Sequence, residues 1–251
     1  MEKEEQLFRK RVRELAELCY AKDIPAHTDF LTLNEQTIFQ NISGTLPPVR
    51  FILSGGLPAS ERKIVCFLPS YEEEPSELPY ECLRISPVNR KFAEALTHRD
   101  YLGAVMNLGI ERSVIGDIII KNQDAFVFVL KKISRYLIDS LVMIRHTSAN
   151  VSVCETASEI PEPEFEEISG TVSSLRLDNM VALAGRLSRT KAAEYIQGEK
   201  VFINGQTAQS VSRLLKEGEI LSIRGIGKFL FTHAGGQTKK GRSSVTIKKY
   251  K

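Results

Sequence analysis

The sequence predicts an α/β (α+β) protein in three parts: an N-terminal α/β region, a middle domain with the element order βαββαβ, and a small basic module of two helices on a sheet. Three observations predict it. Strand-like and helix-like periodicities alternate through the middle third, the last third runs two short amphipathic helices into an Asn-Gly hairpin, and charge is segregated between the two. From Arg176 to Lys251 there are 15 Lys and Arg against 5 Asp and Glu, a net +10, whereas residues 1–175 hold 19 against 26, a net −7. The overall +3 conceals a cation joined to an anion. Such a division points to a polyanionic partner for the basic part, while the acidic part discourages nonspecific association.

Length and composition bound the possibilities. At 251 residues the chain exceeds one average domain, and 42% apolar with 26% charged residues describes an ordinary globular protein rather than a disordered one. No apolar run approaches the roughly 20 residues that span a bilayer, so no membrane partner is expected. The opening "MEKEEQLFRKRVRELAELCY" is charged where an export signal needs an apolar stretch, so a cytoplasmic protein is expected. Cys19, Cys66, Cys82 and Cys154 match neither a zinc knuckle nor a redox pair and read as free thiols.

Taking the elements in order, Phe8, Val12, Leu15 and Cys19 form one stripe of an amphipathic helix over Glu2–Lys22. "DFLTLNEQTIFQNI" is a second helical candidate, and "VRFILSGG" and "KIVCFLP" read as strands joined through a Gly55-Gly56 turn. The acidic, proline-bearing "SYEEEPSELPYE" reads as a boundary, so the first domain is expected over 1–76 and the next over 77–157. Within the second, "ECLRISP", "NRKFAEALTHRDYLGAVMNLGI", "GDIII", "AFVFVL", "KKISRYLIDSLVMI" and "NVSVCE" give βαββαβ, the order of a ferredoxin-like sandwich. The RNA-recognition motif shares that topology and stacks bases on aromatics of its third strand. Here that strand offers Phe126 and Phe128, but without the Lys/Arg-Gly-aromatic signature both rings read as core. "SEIPEPEFEEISG" reads as a linker or an extended strand within 158–174.

The basic module is expected over 175–236, with a flexible basic tail over 237–251. "LRLDNMVALAGRL" puts Leu177, Val181 and Ala184 on one helical face, with Arg176 and Arg186 off it. Ser188 is a natural N-cap for a second helix, Arg189–Gln197, that turns Ala192, Ala193 and Ile196 inward and ends on Gly198, to which the sequence assigns the positive φ of the helix end. "KVFING" is a strand entering an Asn204-Gly205 hairpin, "KEGE" a further turn, and "ILSIRGIGKFLFTH" strand again. Arg176, Arg186, Ser188, Arg189, Thr190 and Lys191 thus gather near one helix junction, where a helix N-terminus adds its own positive field for phosphates. Lys200, Arg224 and Lys228 extend the patch, and "QTKKGRSSVTIKKYK" adds mobile cations.

"RLD", "LSRTKAAEYIQGEKVFING" and "LLKEGEILSIRGIGKFLF" together resemble the S-four domain, an αL-type RNA-binding module, over nearly all of residues 176–232. Glu219 stands where that family usually has Asp after the turn glycine, which keeps the carboxylate. "LTHRDYLGAVMNLGIERSVIGDIII" with this module resembles the bacterial YlmH-type proteins, with an RRM-like middle domain, along the whole chain. The resemblance implies binding of rRNA and tRNA, association with the large ribosomal subunit and peptidyl-tRNA in quality control of stalled nascent chains, and a link to cell-division proteins. It also implies that Arg176 and Arg189 match the arginines with which smaller S-four proteins hold RNA.

Catalytic readings are weaker. His98-Arg99-Asp100 looks like a kinase catalytic loop, yet Val105 stands where that loop needs Asn, and Asp100 reads as a helix cap. Arg99, Arg112 and Lys121 offer a lesser RNA contact. Pseudouridine synthases carry a catalytic Asp in a similar Arg-Leu-Asp triplet, but here the triplet opens the basic helix and no catalytic domain follows, so Asp178 reads as a helix-start residue or a partner of Arg176. The four histidines lack metal-ligand spacing. A non-enzymatic protein without catalytic residues, metal or cofactor is expected, and nothing demands more than a monomer. The alternatives are an RNA-modifying enzyme and a cell-division accessory protein.

Overall fold

The computed structural model describes residues 2–237 and 241–250. The chain divides into two compact units, Met1–Glu162 and Pro163–Lys251. No described helix is long and apolar enough to cross a membrane.

The first unit opens with α1 (Glu2–Lys22), β1 (Ala26–His27), α2 (Leu33–Ser43), β2 (Arg50–Ser54) and β3 (Ile64–Leu68). The strands form an antiparallel sheet of order β1-β3-β2. Val12, Leu15, Ala16 and Cys19 of α1 pack on Phe39 and Ile42 of α2 and on Val65 and Phe67 of β3. Burying each such ring or branched chain contributes about 1.5–3 kcal/mol. Helix α2 starts later than its sequence pattern suggested: Thr32 caps it, its main-chain N–H donating to Glu35 Oε2 at 2.7 Å, and this capping box excludes Asp29–Leu31.

The middle elements are β4 (Tyr80–Pro87), α3 (His98–Asn107), β5 (Ile115–Lys121), β6 (Asp124–Leu130), α4 (Lys131–Ser140), β7 (Met143–Ile144) and β8 (Thr147–Val153). Apart from the two-residue β7 this is the expected βαββαβ, with sheet order β5-β6-β4-β8-β7. Helix α3 is a single helix preceded by a short 3-10 turn, Arg90–Phe92, and Thr97 with Asp100 forms its capping box, so Asp100 supports the cap instead of supplying it.

The acidic segment separates two sheets but not two cores. Phe30, Ile64, Cys66 and Leu68 share one apolar cluster with Tyr80, Cys82 and Phe128. Tyr80 packs against Phe30 at 5.5 Å and Phe128 at 6.1 Å between ring centroids, and Tyr80 Oη lies 2.5 Å from Ser54 Oγ. Gly56, at φ +96°, fits directly beneath the Phe128 ring. Both Phe126 and Phe128 are buried, as their lack of an RNA-recognition signature suggested. Arg62 is buried as well, its guanidinium donating to the carbonyls of Phe30 at 2.7 Å and Ile115 at 2.9 Å.

The second unit holds β9 (Phe165–Val172), α5 (Leu177–Gly185), α6 (Arg189–Gln197), β10 (Val201–Ile203), β11 (Gln206–Thr207), β12 (Ile220–Ile223), β13 (Gly227–Gln237) and β14 (Ser243–Tyr250). Its sheet runs β11-β10-β12-β13-β14-β9, all neighbours antiparallel. Of the two readings of the segment 158–174, linker or extended strand, the structure has the strand, β9. One sequence expectation is corrected here: the basic tail is not free, since Ser243–Tyr250 pairs with β9 on one side and β13 on the other, because Val245 and Ile247 alternate into the core. Thr238–Lys240 and Lys251 of that tail lie outside the described residues.

Candidate nucleic-acid interface

Helix α5 carries Leu177, Met180, Val181 and Ala184 into the core, which fixes its rotation about its axis. Its start is pinned by main-chain bonds, Leu177 N–H to Arg213 O at 2.7 Å and Leu215 N–H to Leu175 O at 2.9 Å, so Arg176 emerges from a braced backbone. Helix α6 begins at Arg189 as expected, with Ser188 Oγ accepting from the Lys191 N–H at 3.2 Å. Ala192 and Ile196 are buried beneath it.

Between the two helix starts lies Asp178, whose side chain is only 8% exposed. Its carboxylate accepts from Arg176 Nε at 3.2 Å and Nη2 at 3.3 Å, from Arg189 Nη2 at 2.8 Å and from the Asn179 N–H at 3.0 Å. Burial alone would raise this carboxyl, but the hydrogen bonds from the two arginines outweigh it and hold Asp178 below the ordinary carboxylate value. One carboxylate against two guanidiniums leaves one net positive charge. The guanidiniums stay 38% and 62% exposed, so their outer N–H groups face solvent with their orientation set from below. Asp178 is therefore the organising residue, a role for which sequence reasoning had paired it with Arg176 only.

The other candidate residues divide into separate placements. Arg186 ends α5 in the left-handed region at φ 51° and reaches Glu166 on β9 at 3.4 Å. Lys191 pairs with Glu194 at 2.7 Å along its own helix, and Thr190 stands exposed in the first turn of α6. Lys200 and Arg224 are joined through the Arg224 N–H and Lys200 carbonyl at 2.8 Å; their cationic heads lie over Tyr195 and Phe202 at 5.4 and 5.5 Å. Lys228 sits opposite Ser222 in the β12–β13 ladder. Gly198 does not supply the positive φ: it has φ −82°, and Glu199 takes the left-handed position at φ 53°. A Cβ at Gly198 would come 3.0 Å from the Glu194 carbonyl, so close approach accounts for that glycine.

The Asn204-Gly205 hairpin forms as expected, with both residues at positive φ. Glu219 accepts from the Lys216 N–H at 2.8 Å and pairs with Arg213 at 2.9 Å, so the longer carboxylate still closes the turn. Of the lesser cluster, Arg112 is withdrawn from any surface role, because it donates to the Ile115 carbonyl at 2.5 Å and burial pulls its pKa down to about 10. Among the described residues no group of three His, Cys, Asp or Glu side chains is arranged to hold a metal.

A ferredoxin-like sheet in the first unit, and two short helices on a small sheet in the second, make this an α/β protein. Residues 80–158 match the family model described as "Putative RNA-binding domain in YlmH", and residues 175–221 match the S4 domain. The chain is 31% identical over 228 residues to the ribosome-associated protein quality control protein P2 of Bacillus subtilis (strain 168), covering 89% of this chain and 87% of that protein. A solved structure titled cell division protein ylmH from Streptococcus pneumoniae has the same fold over 63% of this chain and 95% of its own, with a TM-score of 0.51 and 24% identity. The chain belongs to the YlmH-type family of proteins with a C-terminal S4 domain.

Proposed function

We propose that this chain is a non-enzymatic, cytoplasmic RNA-binding protein that docks on rRNA and tRNA at the large ribosomal subunit and acts in quality control of stalled nascent chains. The observation that carries this reading is the pair Arg176 and Arg189, held by Asp178 with their outer faces free for phosphate. Charge-assisted bonds to phosphate from pre-oriented guanidiniums lose little side-chain freedom on binding. Ser188, Thr190 and Lys191 flank Arg189 along the chain, and Arg186, Lys200, Arg224 and Lys228 supply further positive charge on the same unit. The printed name of the Bacillus relative supports the ribosomal setting.

An RNA-modifying reading gains no support from Asp178, since both of its oxygens are already engaged by arginines. A protein-binding role in cell division is the second reading, favoured by the net charge of −7 over residues 1–175. It requires that division defects survive loss of the arginine pair. The direct test is co-sedimentation with ribosomes at moderate salt. Arg189→Glu is expected to weaken binding by about 1 kcal/mol or more, because it removes a phosphate contact and adds repulsion. Unchanged co-sedimentation would take Arg189 out of the interface.

A further inference from the structure

A second buried carboxylate in this protein holds two arginines in the same way. Asp124, at the start of β6, has a side chain 8% exposed. It accepts from Arg84 Nη2 at 2.6 Å and Nε at 3.0 Å, and from Arg90 Nη2 at 2.8 and 2.9 Å to its two oxygens. Arg84 and Arg90 remain 38% and 51% exposed, and the cluster again carries one net positive charge. Arg84 also lies over the ring of the buried Phe126 at 5.9 Å.

The register places this cluster on the sheet face that an RNA-recognition motif uses. Cys82 pairs with Phe128 and Arg84 with Phe126, so Tyr80, Cys82, Arg84 and Ser86 share a face with Phe126 and Phe128. At the Tyr80 and Phe128 end, Phe30 and Gly56 of the N-terminal sheet region close the face. The other end stays open and polar. There Lys121 stands opposite Asp124, Ser152 opposite Arg84 and Asn150 opposite Ser86, with Lys121, Asn150 and Ser152 exposed. Two residues beyond Arg90, Phe92 is 76% exposed, with Lys91 over its ring at 5.8 Å. The acidic group that joins Asp124 near Arg84 is Glu159.

We infer that Arg84, Arg90 and the open end of this sheet form a second RNA site, which grips the backbone of a single-stranded segment while Phe92 stacks on one of its bases. The inference rests on the RNA-binding reading above and on the family description of residues 80–158, and adds the face, the residues and the form of the ligand. Exposed rings with adjacent guanidiniums suit unpaired nucleotides, whose bases are free to stack. A base-stacking platform of the usual kind is absent here because the N-terminal region occupies Phe128, and arginines on a carboxylate take its place.

The test uses the full chain and a short single-stranded oligoribonucleotide of mixed sequence carrying 4-thiouridine. Arg84→Gln/Arg90→Gln keeps hydrogen-bond donors for Asp124 but removes the charge, and is expected to bind the probe about tenfold more weakly with a shallower salt dependence. Phe92→Ala, which removes an exposed ring and leaves the core untouched, is expected to lose about threefold or more and the crosslinks to this turn. The Arg176→Ala/Arg189→Ala protein should retain probe binding while losing ribosome co-sedimentation. Wild-type probe affinity in both Arg84→Gln/Arg90→Gln and Phe92→Ala overturns the second site. If the probe is then lost only in Arg176→Ala/Arg189→Ala, the S-four surface alone binds RNA and the function reading stands. If that variant also keeps ribosomes, the function reading falls with it.

Discussion

Arg189 Nη2 donates to Asp178 Oδ2 at 2.8 Å across the junction of two helices, while Arg176 holds the same carboxylate from the other side. An acidic residue thus sits at the centre of a surface read as anion-binding, and two effects oppose each other. Coulomb attraction to phosphate improves if the carboxylate is removed; preorganisation of the guanidiniums is lost. Since Asp178 is buried and both arginines are partly exposed, preorganisation should prevail. Asp178→Asn is expected to weaken binding to ribosomes about threefold despite the gain of one positive charge, measured by co-sedimentation. Tighter binding would show that simple charge governs the site.

Acid should dissolve both carboxylate clusters. The arginines hold Asp178 and Asp124 below their ordinary value against the opposing effect of burial. Their folded pKa values therefore lie under the unfolded value of about 3.9. Each contributes stability that is fully present above that value and is lost as pH falls through the depressed folded value. Carboxyl titration by NMR should place both midpoints below 3.9, and Asp178→Asn should flatten the acid limb of the stability profile of the second unit.

Glu199 occupies the left-handed position after α6 at φ 53°, where the Lys200 N–H closes onto the Tyr195 carbonyl at 3.0 Å and the Glu199 N–H onto Ile196 at 3.1 Å. That is the position glycine favours in such a helix end. Glu199→Gly is expected to stabilise the second unit by about 1 kcal/mol, as a rise of a few degrees in its thermal midpoint. A fall would mean that the greater freedom of glycine in the unfolded chain outweighs the strain.

Gly56 should tolerate nothing larger. At φ +96° a Cβ is strained, and it would run into the ring of Phe128. Gly56→Ala is expected to destabilise the first unit by about 3 kcal/mol, combining overpacking with backbone strain. Urea unfolding followed by tyrosine fluorescence measures it.

Much of this fold is legible where local rules decide. The Asn204-Gly205 hairpin, the Ser188 cap and the βαββαβ order each follow from residues within one short window, and each stands where the sequence placed it. What the sequence hid depends on distant partners. "SVTIKKY" is basic enough to read as a tail, and only the presence of β9 reveals that its alternating Val245 and Ile247 belong to a strand. Likewise "SYEEEPSELPYE" has the composition of a boundary, while the burial of Phe30 and Gly56 against Phe128 is written nowhere near it. In the candidate site, the cations were visible as charge. The carboxylate that orients them was not, because pairing Asp178 with Arg189 requires knowing how two helices meet.

The pairing of β9 with β14 also sets an order of events during synthesis. Ser169 and Thr246 are hydroxyl partners 77 positions apart, and among the described residues β9 pairs with β14 alone, a strand made well after it. The arginine-bearing helices are complete before that neighbour exists. On a translating ribosome the unit therefore carries an unmatched strand edge until residues 243–250 have emerged, and long-range closure of this kind is slow. A newly made molecule therefore acquires its finished sheet only after β14 has been made, well after the arginine-bearing helices are complete.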